Sequence, residues 1–167
     1  MRSTAMWLAI LSIGVLALVP TVVPAHDEKH DHSKLPPGPI RDRHELMESQ
    51  GEEAENITTA LNDSPMGVDT GVIQRQAQMI ADSAHRIPSL FPKGSTDPNS
   101  RALPVIWEKW DQFEQLAKQL QHDAESLSNA AGSGQNEQLQ GKVQKMMGAC
   151  KSCHDQFRKP KDKSKSS

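Results

Sequence analysis

Two thiols and an imidazole stand together in Cys150-Lys151-Ser152-Cys153-His154. This C-x-x-C-H spacing is the pattern of covalent c-type haem attachment. On a helix, residues three apart share a face, so each thiol can add to one vinyl group of a single porphyrin. His154, next in the chain, is then held beneath the ring as the proximal iron ligand. Competing chemistries need parts the chain lacks. A thioredoxin-type pair opens a helix after a strand. Zinc needs further ligands held close, and these are the only two Cys in the sequence. A disulfide closes poorly across a helical C-x-x-C. No Ser nucleophile elbow, glycine-rich phosphate loop or acid–base pair is evident, so the reading is of a protein that is not an enzyme.

A ring held at two points needs elements that keep still. Aromatics are only 4% of the 167 residues, with no Tyr, while Ala, Gln, Glu, Lys, Leu and Met are common, a mix that favours helices over sheets. Four apolar stripes follow. The first runs Ile40, Met47, Ala54, Leu61, with Arg43, Gln50 and Ile57 as a second row beside it. The second is Ile73, Ala77, Ile80, Ala84, Ile87, stopped by Pro88. The third is Leu103, Ile106, Trp110, Phe113, Ala117, Leu120, Ala124, Leu127. The fourth is Leu139, Val143, Met146, Cys150, Cys153, Phe157, which puts both thiols on a buried face. Pro39 suits a first helical turn. Residues 90–102, with Pro92, Gly94 and Pro98, form the longest link, and Gly132-Ser133-Gly134 a short one. The expected fold is all-α, an antiparallel four-helix bundle with its covalently bound haem near the C-terminus.

The ends read differently. Residues 1–25 carry Arg2, an apolar run over 5–19 and the small-residue ending Val23-Pro24-Ala25, which is the pattern of a signal peptide cleaved after Ala25. Export to the periplasm follows, with no membrane span once it is removed. Residues 26–39 read as a flexible leader whose His26, His30 and His32, with Asp27 and Asp31, are a solvated tail before they are a metal site. Residues 160–167 read as a disordered basic tail. A formal net charge of −2 excludes a dedicated nucleic-acid binder, which carries a basic stripe.

With these residues in view, the chain resembles the class II c-type cytochromes, the cytochrome c prime group. The likeness rests on Arg43-His44-Glu45-Leu46-Met47 with Gly51, on Phe91-Pro92, on Arg101-Ala102-Leu103-Pro104, on Ile106-Trp107 with Phe113, and on Cys150 through Arg158. It implies that residues 40–159 form a four-helix cytochrome domain with one haem c. It also implies that the residue four places after the helix-one Arg faces the open side of the haem. Here that residue is Met47, a soft thioether donor, so the expectation is a six-coordinate iron with His154 and Met47 as axial ligands, carrying single electrons between redox partner proteins. The alternative is a five-coordinate iron that binds nitric oxide or carbon monoxide, with Met47 filling core space. The resemblance further implies that Arg43 pairs with a haem propionate, since a guanidinium fork matches a carboxylate, and that the chain forms a homodimer through its first two helices. Arg158, one turn past His154, is expected near the haem edge. Phe157 and Trp107 are expected to pack, as are Met79 and Met146. His44 is expected at the surface or at the propionate edge, and His85 and His122 at the surface.

Overall fold

The steps of three and four become helix. The computed structural model describes residues 35–62 and 67–160. Helix α1 spans Pro39–Asn62, α2 Thr70–Ala84, α3 Val105–Glu108, α4 Trp110–Gly132 and α5 Asn136–Phe157, with a 3-10 turn at Pro88–Leu90 after α2. Four of these helices are long, and no strand occurs among the described residues; Ala102 and Arg158 make one isolated antiparallel bridge. The expectations for residues 1–34, 63–66 and 161–167 (signal peptide, most of the leader, and tail) lie outside the described residues. No described helix is long and apolar enough to cross a membrane.

The ends of the helices follow local chemistry. Asp69 caps α2, its carboxylate accepting from the Val72 amide at 3.0 Å. Pro39 begins α1, where a missing amide hydrogen costs nothing. Gly134, at φ +73°, makes the turn between α4 and α5, a backbone region that residues with a Cβ rarely enter.

Two stripes need correction. The third does not form one helix: Lys109, at φ −117° and ψ 44°, separates α3 from α4, and Leu103 lies before both. Two aromatic anchors flank the break. Trp107 donates its indole N–H to the Phe91 carbonyl at 3.0 Å, and the Trp110 ring lies 5.6 Å from that of Phe113. On α1 the two rows exchange roles. Arg43, Gln50 and Ile57 are buried, whereas Ile40, Met47 and Leu61 are only half-buried. The polar members of the inner row find partners there, Gln50 donating to Ser83 Oγ at 2.8 Å, as buried polar groups must.

The core gathers Ile57 from α1, Ile73 and Ile80 from α2, Phe113 and Leu127 from α4, and Leu139 and Met146 from α5. Packing runs round the bundle from α1 to α2, most extensively from α2 to α4, and from α4 to α5. Between α1 and α5 the contact is slight. The loosest seam of the bundle therefore lies between the helix carrying Met47 and the helix carrying Cys150, Cys153 and His154.

Candidate functional site

The last turns of α5 hold the motif. Leu139, Val143, Met146, Ala149 and Phe157 point into the core. Cys150 and Cys153 lie beside that row, half-buried and packed against the core, which places them at its edge and not in its centre as the stripe implied. Both thiols are free. Burial pushes both above the ordinary thiol range, Cys153 to about 11, with the neighbouring Cys150 adding to the shift. Protonated thiols at a core edge are reachable by a flat apolar group laid into the seam, yet they do not attract a stray cation at neutral pH.

His154 is half-buried. Burial, then the positive charges of Arg158 and Arg101, lower its pKa, with Asp155 opposing. The imidazole is thus held neutral, the form in which a ring nitrogen donates to a metal. Asp155 is engaged by Lys151 one turn back. Arg158 ends α5, its amide donating to the His154 carbonyl at 3.1 Å.

Across the seam, Met47 is half-buried and packs against the core. One turn earlier, Arg43 is buried at 4% exposure. Its Nη1 donates to Ser95 Oγ at 2.9 Å, and its Nη2 to the Ser95 carbonyl at 2.8 Å and to Ser100 Oγ at 3.0 Å. Its guanidinium carbon lies 4.7 Å from the centre of the Phe91 ring.

The remaining candidates sort plainly. Met146 is fully buried, as packing requires, while Met79 is 49% exposed and does not pack as expected. His85 and His122 are exposed, and His44 sits 3.5 Å from Glu48. Phe157 packs edge-on against Phe113 at 5.4 Å, and Trp107 is half-buried. Among the described residues no cluster of His, Cys, Asp and Glu could hold a metal ion alone; the leader histidines lie outside them.

Three features were given no structural or functional role from the sequence beyond a place in the pattern. Glu53 is buried, with one carboxylate oxygen unpartnered. Arg101 reaches the end of α5, its Nε donating to the Lys159 carbonyl at 3.0 Å. Phe113 is the hub of the aromatic contacts, touching Phe91, Trp110 and Phe157. Only the Phe113 position, on a regular stripe, carried a signal of its burial.

Two free thiols at a core edge, a neutral imidazole beside them and a thioether across the loosest seam form a donor set that fits a covalently held haem. A four-helix bundle carrying C-x-x-C-H at the end of its last helix defines a class II c-type cytochrome. Comparison with known proteins agrees. The family described as Cytochrome C' matches residues 38–158. The chain is 34% identical over 124 residues to cytochrome c' of Rhodopseudomonas palustris, covering 73% of this chain and 82% of that protein. It is 36% identical over 124 residues to cytochrome c-554 of Cereibacter sphaeroides, covering 71% and 79%. The solved structure of cytochrome c' from Rhodopseudomonas palustris superposes with a TM-score of 0.65 at 31% identity, covering 74% of this chain and 98% of that one. The chain belongs to the cytochrome c' family and carries one covalently attached haem c.

Proposed function

We propose that this chain is exported to the periplasm and holds its haem through Cys150 and Cys153, with His154 on the iron and the opposite face open to a diatomic gas such as nitric oxide or carbon monoxide. The observation that carries the reading is the family match over residues 38–158. Iron in this family is typically five-coordinate, which favours the open position over the Met-ligated iron put first from the sequence. The bound haem supplies a one-electron change at iron and a position for a small ligand.

This chain's residues do the rest. Cys150 and Cys153 would hold the ring by their sulfurs, each thiol adding sulfur and hydrogen across one vinyl group with no net oxidation. With the ring so tethered to α5, His154 would offer a ring nitrogen to the iron with little loss of freedom. Burial, helped by Arg158 and Arg101, favours the unprotonated imidazole of His154, and the bundle excludes most water. Met47 would line the opposite side without holding the iron. Redox proteins would exchange the electron, and a second copy of the chain is the expected assembly.

A second reading is favoured by one observation: Met47 is a thioether four residues past Arg43, half-buried on the helix facing α5. In that reading Met47 is the sixth ligand and the protein is an electron carrier. Carbon monoxide added to the reduced, haem-loaded protein separates the two. A prompt spectral shift supports the open iron. No shift, together with a Met47→Ala variant that turns from low-spin to high-spin, supports the electron carrier. Colourless protein at the bare polypeptide mass, from cells competent in haem attachment, overturns both.

A further inference from the structure

We propose that the link over residues 94–103 is a strap that sets the spacing of α1 and α5, with Arg43 as its anchor. This rests on the reading above, in which those two helices face each other across the haem.

Directly, α1 and α5 touch only slightly. Indirectly they are joined by a continuous chain of hydrogen bonds. Arg43 on α1 fills its fork with Ser95 and Ser100. One to three residues after Ser100, the same link grips the end of α5. The Leu103 amide donates to the Phe157 carbonyl at 2.9 Å, the Lys159 amide to the Arg101 carbonyl at 2.8 Å, and Arg101 Nε to the Lys159 carbonyl at 3.0 Å. An aromatic line runs parallel: Arg43 stacks on Phe91, Phe91 meets Phe113 at 4.8 Å, and Phe113 meets Phe157 at 5.4 Å.

Both lines begin one turn before Met47 and end within five residues after His154. A loop tied at both ends in this way offers a contiguous path by which displacement of one helix end reaches the other. Arg43 is therefore a positioning residue: it acts on the open side of the haem through the link. A propionate contact would be local and would not reach Leu103 or Lys159. Lys in place of Arg keeps the charge but loses the planar fork that serves three acceptors.

The test is amide hydrogen exchange on the haem-loaded full chain, wild type against Arg43→Lys. Exchange at the Leu103 and Lys159 amides should speed by about tenfold, the loss expected for a charged hydrogen bond. The α4 amides of Leu120 and Ala124 should stay within a factor of about two. Ser100→Ala should act in the same direction and more weakly, and both variants should shift the oxidised absorption spectrum or the carbon monoxide dissociation constant. Unchanged exchange at Leu103 and Lys159 overturns the strap, as does an equal rise in α4, which marks general loosening. If wild type takes up haem but no carbon monoxide, the gas-binding reading fails while the exchange still decides the strap.

Discussion

Helix α4 and helix α1 are almost equally long, and they bury opposite kinds of residue. The inner face of α4 is Phe113, Ala117, Leu120, Ala124, Leu127, Ala130 and Ala131, with one polar member, Ser128, whose hydroxyl donates to the Gln74 carbonyl at 3.1 Å. The inner face of α1 holds Arg43, Gln50 and Glu53 among Leu46, Ala54, Ile57 and Ala60. Apolar area removed from water stabilises by about 25 cal/mol per Å², whereas a buried polar group returns at best about 1 kcal/mol once its partner is found. The contacts of α4 with α2 and α5 therefore supply most of the apolar core, and in the reading proposed above α1 serves the site. Two of these polar side chains tie α1 to other elements, Arg43 to the 94–103 link and Gln50 to the end of α2 through Ser83, while Glu53 bonds only Ser49 on its own helix.

The sharpest break between the two comes from removing the tether. A Cys150→Ser, Cys153→Ser pair should abolish covalent haem altogether, read as the bare polypeptide mass after denaturation, while α4 keeps its apolar contacts. The converse change strikes α4. Leu127→Ala empties a fully buried site and should cost about 3 kcal/mol in urea unfolding. The covalent haem should remain. If the haem were lost instead, fold and site would not be separable as argued. A smaller effect is expected on α1. Gln50→Leu gives up the bond to Ser83, leaves that hydroxyl on its Ile80 carbonyl, and should change stability by about 1 kcal/mol or less in either direction.

The same contrast explains what was legible in the sequence. Helices α2, α4 and α5 could be read because apolar residues at steps of three and four have one reason to be there, burial. The row Arg43, Gln50, Ile57 was visible as a row but looked like the lesser face, because a pattern of apolar residues cannot show that a guanidinium will be buried by two serines fifty residues away. The break at Lys109 was hidden for a related reason: the stripe from Ile106 to Leu127 keeps its period through it. C-x-x-C-H was legible because its chemistry is local. The half-burial of Cys150 and Cys153 was not, since it depends on how lightly α1 meets α5. The grip of Arg101 on Lys159 joins its guanidinium and its carbonyl to main-chain groups 58 residues away, so no spacing in the sequence marks it.

Glu53 gives the finest separation of the two helices, because its effect should depend on pH where those on α4 should not. Its Oε1 accepts from Ser49 at 3.0 Å, while its Oε2 is buried without a partner. Burial pushes this carboxyl above its ordinary 4.5, outweighing the Ser49 hydrogen bond, with Glu52 adding to the rise. The folded state thus holds the proton more tightly than the unfolded chain does. Glu53 favours the fold most below pH 4.5, and that contribution is lost as pH climbs through the raised folded value. Glu53→Gln removes the charge and keeps an acceptor for Ser49. It should leave stability nearly unchanged at the acid end and raise it on the order of 1 kcal/mol at neutral pH, relative to wild type. Urea midpoints of both proteins, taken in steps across that range, measure the difference directly. A gap that stayed flat with pH would mean that the buried oxygen carries no strain, and that α1 pays nothing for its polar face at this position.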